Sequence, residues 1–259
     1  MGSPRVPRPG RPRQAPTGLP PSIGVVPPPV IDANDLPQGA DKVRAVRSMF
    51  DTIAPRYDLV NRIMTFRMDV GWRRRTVRDL ALPHGSTVVD LACGTGDLCR
   101  ELAASGLHPI GMDLSFGMLA AARTTAPLVH GDALRLPVAD ATLDGATCGF
   151  ALRNLVDLDP FFTELARAVR PLGRIALLEV AEPPNRFLRW GHGLYFGRVV
   201  PRIGGLLSDE TAYRYLPKSV AYLPSPGHML ARLADAGFSD VGRDLLSHGI
   251  AQLITATRT

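Results

Sequence analysis

The sequence predicts a doubly wound α/β domain, and three observations carry that prediction. From Val88 onward, short β-branched and apolar runs alternate with segments of helical periodicity, which is typical of a mostly parallel sheet with right-handed crossovers. A glycine turn, Gly94 to Gly96, joins the first of these strands to the first helix. Two strands at the C-terminus are separated by only a few residues and must therefore be antiparallel.

The chain divides into a tail and a globular domain. Residues 1–40 are dense in proline, glycine and arginine, which predicts a disordered or polyproline-like tail because the segment cannot bury enough surface to offset its ordering entropy. From Asp41 to the C-terminus the composition is globular. Apolar residues at helical spacing predict two helical segments ahead of the first strand, Val43 to Phe50 and Tyr57 toward Trp72. The expected fold therefore carries an N-terminal helical cap.

The first strand, turn and helix form a unit suited to binding a small ligand. Val88, Val89 and Leu91 predict a buried strand, and Asp97 opens the helix after the turn. Two glycines allow the backbone to bend sharply and let a ligand approach the N–H groups. The dinucleotide fingerprint requires a third glycine, and Cys99 stands in its place. An ordinary tight turn is the alternative on these residues alone.

Two later carboxylates indicate the kind of ligand. Asp113 ends the predicted second strand, where an acid can accept hydrogen bonds from both ribose hydroxyls. Asp132, in the triplet Gly131 to Ala133, follows a third short strand and could contact an adenine edge. Taken singly, each acid could instead cap a helix or face solvent. Together they predict a nucleoside-bearing cofactor without a pyrophosphate.

The remaining elements follow in order. A fourth strand is predicted at Gly145 to Phe150, then a helix from Pro160 to Val169 that Pro171 and Gly173 stop, and a fifth strand at Ile175 to Val180. Residues 181–225 interrupt the alternation of strands and helices, which predicts an insertion on the substrate side. The chain closes with a helix, Pro226 to Ala236, and two strands, Val241 to Leu245 and Ile250 to Thr257.

Composition excludes several function classes. The net charge is +6, but residues 1–30 hold four arginines and no acid. The rest of the chain has 26 basic and 24 acidic residues, and this near balance does not predict nucleic-acid binding. The three cysteines lack metal-ligand spacing, so we expect neither a disulfide framework nor a metal site. No apolar run is long enough to span a bilayer, and the N-terminus lacks a signal-peptide core. A cytoplasmic protein is expected.

The stretch DLACGTGD with Asp113 and the GDA triplet resembles the cofactor half of class I S-adenosylmethionine-dependent methyltransferases, which have a Rossmann-like sheet. The resemblance implies S-adenosyl-L-methionine as cofactor. It places the acid at Asp90 near the cofactor's cationic end, the acid at Asp113 on the ribose and the acid at Asp132 on the adenine. The cofactor-binding residues it implies are Asp90, Ala92, Gly94, Thr95, Gly96, Asp113, Leu114, Asp132, Ala133 and Gly149.

Further motifs narrow the family. The stretches FDTIAPRYDLVN with Trp72-Arg73, FALRN ending at Asn154, and Tyr213-x-Tyr215-Leu216 resemble the family that C-methylates demethylmenaquinol and the analogous ubiquinone intermediate. The resemblance covers residues 43–257. It implies methylation of a ring carbon of a prenylated hydroquinone, with demethylmenaquinol converted to menaquinol as the leading hypothesis.

Departures from the family pattern keep other acceptors open. Asp69 stands where the family has histidine, Arg67 where it has glycine, and Gly149 where it has serine. Pro224 begins a segment that differs from the family's, and the last strand lacks a histidine after Ile250. Methylation of a specialised phenolic or polyketide-like product is therefore the alternative function. A non-catalytic cofactor-binding protein is a third hypothesis, which the intact acids and glycines disfavour.

The resemblance also implies catalytic and substrate-binding residues. Arg153, at the end of the fourth strand, is the candidate for stabilising a phenolate or orienting a water, with a salt bridge to an acid such as Asp157 as the structural alternative. Tyr57 and Asp58 are expected at the same mouth, and Asp69 could act as a base in place of the family's histidine. The substrate-binding candidates are Tyr57, Asn154, His192, Tyr195 and Tyr215.

The insertion is the candidate membrane contact. Between Phe187 and Leu207, aromatic and aliphatic residues are interspersed with arginines, as in a lipid-facing or tail-binding lid. The alternative is that this insertion packs on its own domain or on a second copy of the chain in a homodimer. The expected location is the cytoplasm, with peripheral contact at the inner face of the membrane.

Overall fold

The computed structural model describes Gly2 and residues 38–200, 202, 215 and 218–259. The predicted tail, residues 1–40, lies almost entirely outside this range, and so does part of the predicted insertion.

A seven-stranded sheet forms the centre of the domain. Its order is β3-β2-β1-β4-β5-β7-β6, and the only antiparallel pairings among the described strands are those of β7 with β5 and with β6. The strands are β1 Thr87–Leu91, β2 His108–Asp113, β3 Leu128–His130, β4 Leu143–Gly149, β5 Val169–Val180, β6 Phe238–Leu246 and β7 Ala251–Arg258. The predicted fold class is confirmed. The sequence did not predict that β7 inserts between β5 and β6.

Helices cover both faces of the sheet. They are α1 Gly39–Ile53, α2 Tyr57–Met64, α3 Met68–Leu80, α4 Asp97–Ala104, α5 Phe116–Ala120, α6 Leu158–Ala168, α7 Arg186–Leu194 and α8 Pro226–Asp235. One core cluster joins the sheet to α6 and α8 through residues such as Phe161 and Met229. A second cluster joins it to α3 and α4 through Trp72 and Leu102, and a third lies under α1 and α2. Strands buried on both faces are rich in apolar residues, and the central parts of β1 and β5, residues 88–89 and 175–178, form short hydrophobic runs in the sequence.

The second predicted helical segment is two helices. α2 ends at Met64 and α3 begins at Met68, because Phe66 and Arg67 have φ values of 51° and 62° in the left-handed region. That conformation favours glycine, which explains why the related family has glycine where this chain has Arg67. After the break, Trp72 of α3 packs in the core cluster that contains strand residues, and Asp69 lines a cavity.

The predicted stop of the sixth helix is wrong. α6 ends at Ala168, and Val169 already pairs with Leu143 as the first residue of β5. Pro171 and Gly173 instead form a bulge inside β5, across which the register with β4 shifts. A Cβ at Gly173 would lie 2.7 Å from the carbonyl oxygen of Asp144, so only glycine fits there.

The N-terminal helices are anchored to the sheet's carboxyl edge by polar contacts. Asp51 on α1 accepts hydrogen bonds from the Ser115 hydroxyl at 2.5 Å and the Gly117 N–H at 2.8 Å. The buried Lys42 ammonium donates to the Leu155 carbonyl oxygen at 2.7 Å. The predicted helical cap is therefore present and closes over the loops that follow β2 and β4. In the part of the chain described here, no helix is both long and apolar enough to cross a membrane.

Candidate active site

The glycine turn after β1 and the end of β2 form the first part of the site. The Asp113 carboxylate accepts the Gly94 N–H and the Ser115 N–H, both at 2.8 Å. It is 9% exposed, and burial raises its pKa. A Cβ on Gly94, whose φ is 56°, would meet no atom of the described residues within 4 Å, whereas one on Gly96 would lie 2.7 Å from Thr124. The turn is therefore packed from behind and open in front, as a ligand cradle requires.

Asp90 lies buried beneath this turn. Its carboxylate accepts a hydrogen bond from the Thr147 hydroxyl at 2.8 Å and lies 3.6 Å from the Cys99 sulfur. Burial raises its pKa from 3.8 to about 7. An acid held half-protonated near neutral pH gains its full charge when a cation is placed beside it. The residue thus suits the positive end of a ligand.

The α2 helix closes one side of the turn. The Thr95 hydroxyl donates to the Asp58 carboxylate, and Thr95 is buried. Asp58, which the sequence placed at the mouth, therefore links the cap to the turn. Gly149 at the end of β4 also lines the cleft, as do Ala92 and the backbone around Gly94.

The adenine-side residues lie at the neighbouring edge. Asp132 is exposed, and its carboxylate accepts the Leu134 N–H at 2.9 Å. Ala133 is buried, and the Leu114 carbonyl oxygen is hydrogen-bonded to His130 at 3.0 Å. The two residues follow β3 and β2, whose carboxyl ends adjoin. All ten cofactor-binding candidates thus lie at one edge of the sheet.

A second cavity of about 590 Å³ opens beside the cleft. Its walls are mostly apolar, and Tyr57, Arg73 and Phe150 line both spaces. The cavity is lined by Met64, Phe66, Met68, Trp72, Val180, Pro183, Phe187, Leu188, Tyr195 and Ile250, with the polar residues Asn61, Asp69, Arg153, Glu182, His192, Ser247 and His248 among them. Its volume lies within the range of sites for small organic molecules.

Arg153 reaches this cavity and is held by a different acid from the one considered above. Its guanidinium forms a buried salt bridge with Glu179, and its Nε donates to the Ser219 hydroxyl at 3.1 Å. Nη1 also donates to the Phe150 carbonyl oxygen at 2.8 Å. Asp157 instead caps α6. Glu179 is fully buried in β5, and an acid within that apolar run is the signal by which sequence reasoning could have found it.

Asp69 lies in the cavity wall with both oxygens engaged. It accepts a hydrogen bond from the Thr65 hydroxyl at 2.7 Å and forms an ion pair with Arg73. Arg73 also lies 3.2 Å from the Asp97 carboxylate of α4. The sequence identified Trp72-Arg73 as a motif but gave Arg73 no role.

The aromatic and histidine candidates meet in the same cavity. Burial raises the pKa of Tyr57 and of Tyr195, so both phenols are protonated at neutral pH. Burial lowers the pKa of His192, against the opposing effect of Glu182. The Tyr195 hydroxyl donates to the Met64 carbonyl oxygen at 3.0 Å, which joins the segment after α7 to α2.

Two of the substrate-binding candidates lie outside the cavity wall. Tyr215 is fully buried in the cluster under α1 and α2, and its hydroxyl donates to Asn154 at 3.4 Å. The structure therefore brings Tyr57, His192 and Tyr195 together with Arg153 and Asp69, but not Asn154 and Tyr215. Sequence reasoning missed Ser247 and His248, which line the cavity after β6 with left-handed φ values of 47° and 59°.

Metal chemistry has no cluster to support it in the described residues. No group of three or more His, Cys, Asp or Glu side chains there could hold a metal ion. The three cysteines are buried and unbridged.

Comparison with known sequences connects this geometry to one family. The profile of the ubiE/COQ5 methyltransferase family matches residues 38–258. A demethylmenaquinone methyltransferase of Thermus thermophilus is 42% identical over 221 residues, which are 81% of this chain and 100% of that protein. A ubiquinone/menaquinone biosynthesis C-methyltransferase UbiE of Syntrophotalea carbinolica is 39% identical over 224 residues, 82% of this chain and 94% of that protein.

Solved structures share the fold at low identity. An S-adenosylmethionine-dependent methyltransferase from Aquifex aeolicus matches with a TM-score of 0.52 and 17% identity, over 72% of this chain and 89% of that chain. The phosphoethanolamine N-methyltransferase 2 of Haemonchus contortus, solved with S-adenosyl-L-methionine, matches with a TM-score of 0.53 and 14% identity over 72% of this chain. This chain spans 52% of that second structure's length.

Proposed function

Because the chain belongs to the ubiE/COQ5 methyltransferase family, we propose that it transfers a methyl group from S-adenosyl-L-methionine to a ring carbon of a prenylated hydroquinone. The acceptor we propose is demethylmenaquinol, with menaquinol as the product. The observation that carries the proposal is the junction of an acid-lined glycine cleft with a large apolar cavity through Tyr57, Arg73 and Phe150.

The cleft residues fit the cofactor. Asp90 supplies a buried carboxylate for a cationic end, and Asp113 supplies one for the ribose hydroxyls at the end of β2. A ligand can approach the backbone of Gly94, because the position that a Cβ would occupy there has no atom of the described residues within 4 Å. When bound there, the cofactor supplies an electrophilic methyl group. Asp132 and Ala133 are the proposed adenine contacts.

The chain's own residues must activate the acceptor. A ring carbon becomes nucleophilic when a neighbouring hydroxyl loses its proton to solvent. The activated ring carbon would take the methyl group that bound S-adenosyl-L-methionine supplies, with S-adenosyl-L-homocysteine as the other product. The ring proton would then pass to water, which restores aromaticity. Arg153 is placed to bind an oxygen of the acceptor ring, because its described contacts engage Nε and Nη1 and leave the donors of Nη2 for a ligand.

The apolar walls hold the prenyl tail and pack against the acceptor ring. Met64, Phe66 and Tyr195 form one side of the cavity, with the Phe66 and Tyr195 rings 5.6 Å apart. His192 and Tyr57 are the proposed polar contacts to the acceptor ring. The cavity of about 590 Å³ lies within the range of sites for small organic molecules, so we propose that it holds the ring and the first part of the tail.

The mouth of the cavity is the proposed membrane contact. Phe187, Trp190 and Phe66 are 86%, 73% and 71% exposed, and no residue of the described helix α7 is buried. From residue 186 to residue 202 the sequence holds four arginines and no acid. Near anionic lipid each such charge contributes about 1 kcal/mol. We therefore propose that residues 181–225 form a substrate-side insertion that meets an anionic membrane surface.

The test of function is methyl transfer. Labelled S-adenosyl-L-methionine is incubated with reduced demethylmenaquinone in detergent, beside a tail-free naphthohydroquinone and a sample without acceptor. The Asp113→Ala variant serves as a control that should lose cofactor affinity. Transfer that requires the tail supports the proposal. Transfer to tail-free phenols alone favours the specialised-product alternative, and transfer to neither acceptor with intact cofactor binding contradicts both.

The membrane contact has its own test. Co-sedimentation with vesicles of mixed neutral and anionic lipid is compared for the wild type and the Phe187→Ser/Trp190→Ser double variant. Binding that falls with both the substitutions and added salt supports the proposal. Retention of vesicle binding by the variant, or wild-type sedimentation as a homodimer that buries this surface, contradicts it.

A further inference from the structure

Arg73 occupies the boundary between the cofactor cleft and the acceptor cavity. It lies on α3, is 8% exposed, and lines both spaces. Its guanidinium carbon is 6.0 Å from the centre of the Phe150 ring, which also lines both. In a methyl transfer between two such spaces, the reacting atoms must meet at this boundary. Arg73 is therefore closer to the reaction path than a residue that lines the cavity alone.

Two acids fix the orientation of the Arg73 side chain. Nη1 pairs with Asp69 on its own helix, and Nη2 lies 3.2 Å from Asp97 at the start of α4. Asp69 is itself held by the Thr65 hydroxyl at 2.7 Å. A side chain fixed in this way needs no reorganisation when charge develops beside it. The contacts also assign Asp69 an anchoring position, because both of its oxygens are engaged.

The guanidinium retains capacity for a ligand. Arginine has five N–H donors, and the described contacts of Arg73 engage one acceptor at Nη1 and one at Nη2. Its charge is balanced by the two acids, so it does not repel a cationic cofactor end as an unpaired guanidinium would. Donors held in place by compensating carboxylates are suited to an oxygen that gains negative charge only during the reaction.

This inference rests on the proposed function. We propose that Arg73 is a catalytic residue that binds the acceptor oxygen next to the methylated carbon, while Arg153 binds the second ring oxygen. A hydroquinone has two oxygens on opposite sides of the ring, and the one adjacent to the attacked carbon lies nearest the methyl group. Among the described residues, two buried guanidiniums line the cavity, one at the boundary and one held by Glu179 on β5. Each oxygen thus has its own cation.

The test compares Arg73→Lys with Arg74→Lys. Lysine keeps the positive charge but cannot hold two carboxylates and a third oxygen in a fixed plane. Arg74 is the next residue on α3, has a side chain that is 70% exposed, and pairs with Glu101 at the surface. Thermal unfolding establishes that both variants are folded, and calorimetry with S-adenosyl-L-methionine measures cofactor binding separately from turnover.

We expect kcat for reduced demethylmenaquinone at pH 7 to fall about 100-fold in Arg73→Lys, with cofactor affinity within about threefold of wild type. The lost rate should return as pH rises, about tenfold per unit, because the acceptor then ionises without assistance. Arg74→Lys should retain the wild-type rate and pH profile.

The pH profile depends on all the charged groups around Arg73. They are Asp69 on α3, Asp97 and Arg100 on α4, Asp90 on β1, Tyr57 and Arg62 on α2, and Arg153 after β4. All of them are retained in both variants, so a difference between the profiles reports the substitution itself.

Four results would overturn the inference. A wild-type kcat in Arg73→Lys removes Arg73 from catalysis. A loss of rate that does not change with pH, or that follows an equal loss of cofactor affinity, assigns the residue a structural role only. If the wild type binds cofactor but methylates no hydroquinone, the proposed function fails and this inference fails with it.

Discussion

Asp90→Asn tests the electrostatics of the cofactor cleft. Asp90 is 1% exposed, and burial raises its pKa from 3.8 to about 7. A shift of about 3 units corresponds to about 4 kcal/mol between the two protonation states. Because the folded pKa lies above the unfolded one, Asp90 contributes most to stability below pH 3.8, and this contribution is lost as pH rises through about 7. Asparagine has nearly the same shape as aspartate, but its side chain does not ionise.

The expected result is a pH-dependent stabilisation. The free energy of unfolding of Asp90→Asn minus that of the wild type should grow by about 1.4 kcal/mol per pH unit between pH 5 and 7 and level off above. The gain of about 3 kcal/mol over that interval corresponds to roughly 6–12 °C in Tm for a domain of this size. The same substitution should weaken cofactor binding, because the carboxylate for the cationic end is lost.

Urea unfolding of the cofactor-free protein at pH 5, 6, 7 and 8 measures the effect, with calorimetry for the cofactor. Asp132→Asn is the matched control, since Asp132 is an exposed carboxylate at the same edge of the sheet, and substitution at an exposed position should change the free energy of unfolding by less than about 0.5 kcal/mol. A difference between Asp90→Asn and wild type that stays constant from pH 5 to 8 would refute the reasoning.

Two further substitutions probe the second cavity and the cleft floor. Glu179→Gln leaves the buried Arg153 guanidinium without its carboxylate partner and should lower the free energy of unfolding by about 3–5 kcal/mol. The control Glu182→Gln, at an exposed position, should lower it by less than about 0.5 kcal/mol. Equal urea midpoints for the two variants would contradict this prediction. Gly149→Ser restores the residue of the related family. Its Cβ would lie 2.9 Å from the end of the Leu98 side chain, which can rotate away, so we expect a cost below about 1 kcal/mol and near-normal cofactor binding by calorimetry.

Local pattern was sufficient for most of the fold. The strands around Val88, Asp113 and Gly145 could be predicted because each contains a short apolar run that is followed by turn residues. The structural role of Pro171 could not be predicted correctly, because proline and glycine occur in a β-bulge as readily as at the end of a helix. Which of the two forms depends on the pairing of β5 with β4, a contact between distant segments.

The candidate site, too, could be predicted only in part from the sequence. The acids and glycines of the cleft follow consecutive strands, and parallel strands bring their carboxyl ends to one edge, so Asp90, Asp113 and Asp132 could be grouped from spacing alone. The partner of Arg153 could not, since Glu179 lies 26 residues away and an acid nearer in sequence was equally eligible.

The sequence by itself determined the fold class, the family, and the order of the strands with the acids that follow them. These depend on residue periodicity and on motifs shorter than one strand–turn–helix unit. Only the tertiary structure decided that Asp69 anchors Arg73, that Arg73 borders both spaces, and that Asn154 and Tyr215 contact each other behind the cavity wall. The physical reason is that side-chain partners across elements are selected by packing and desolvation, and neither follows from spacing along the chain.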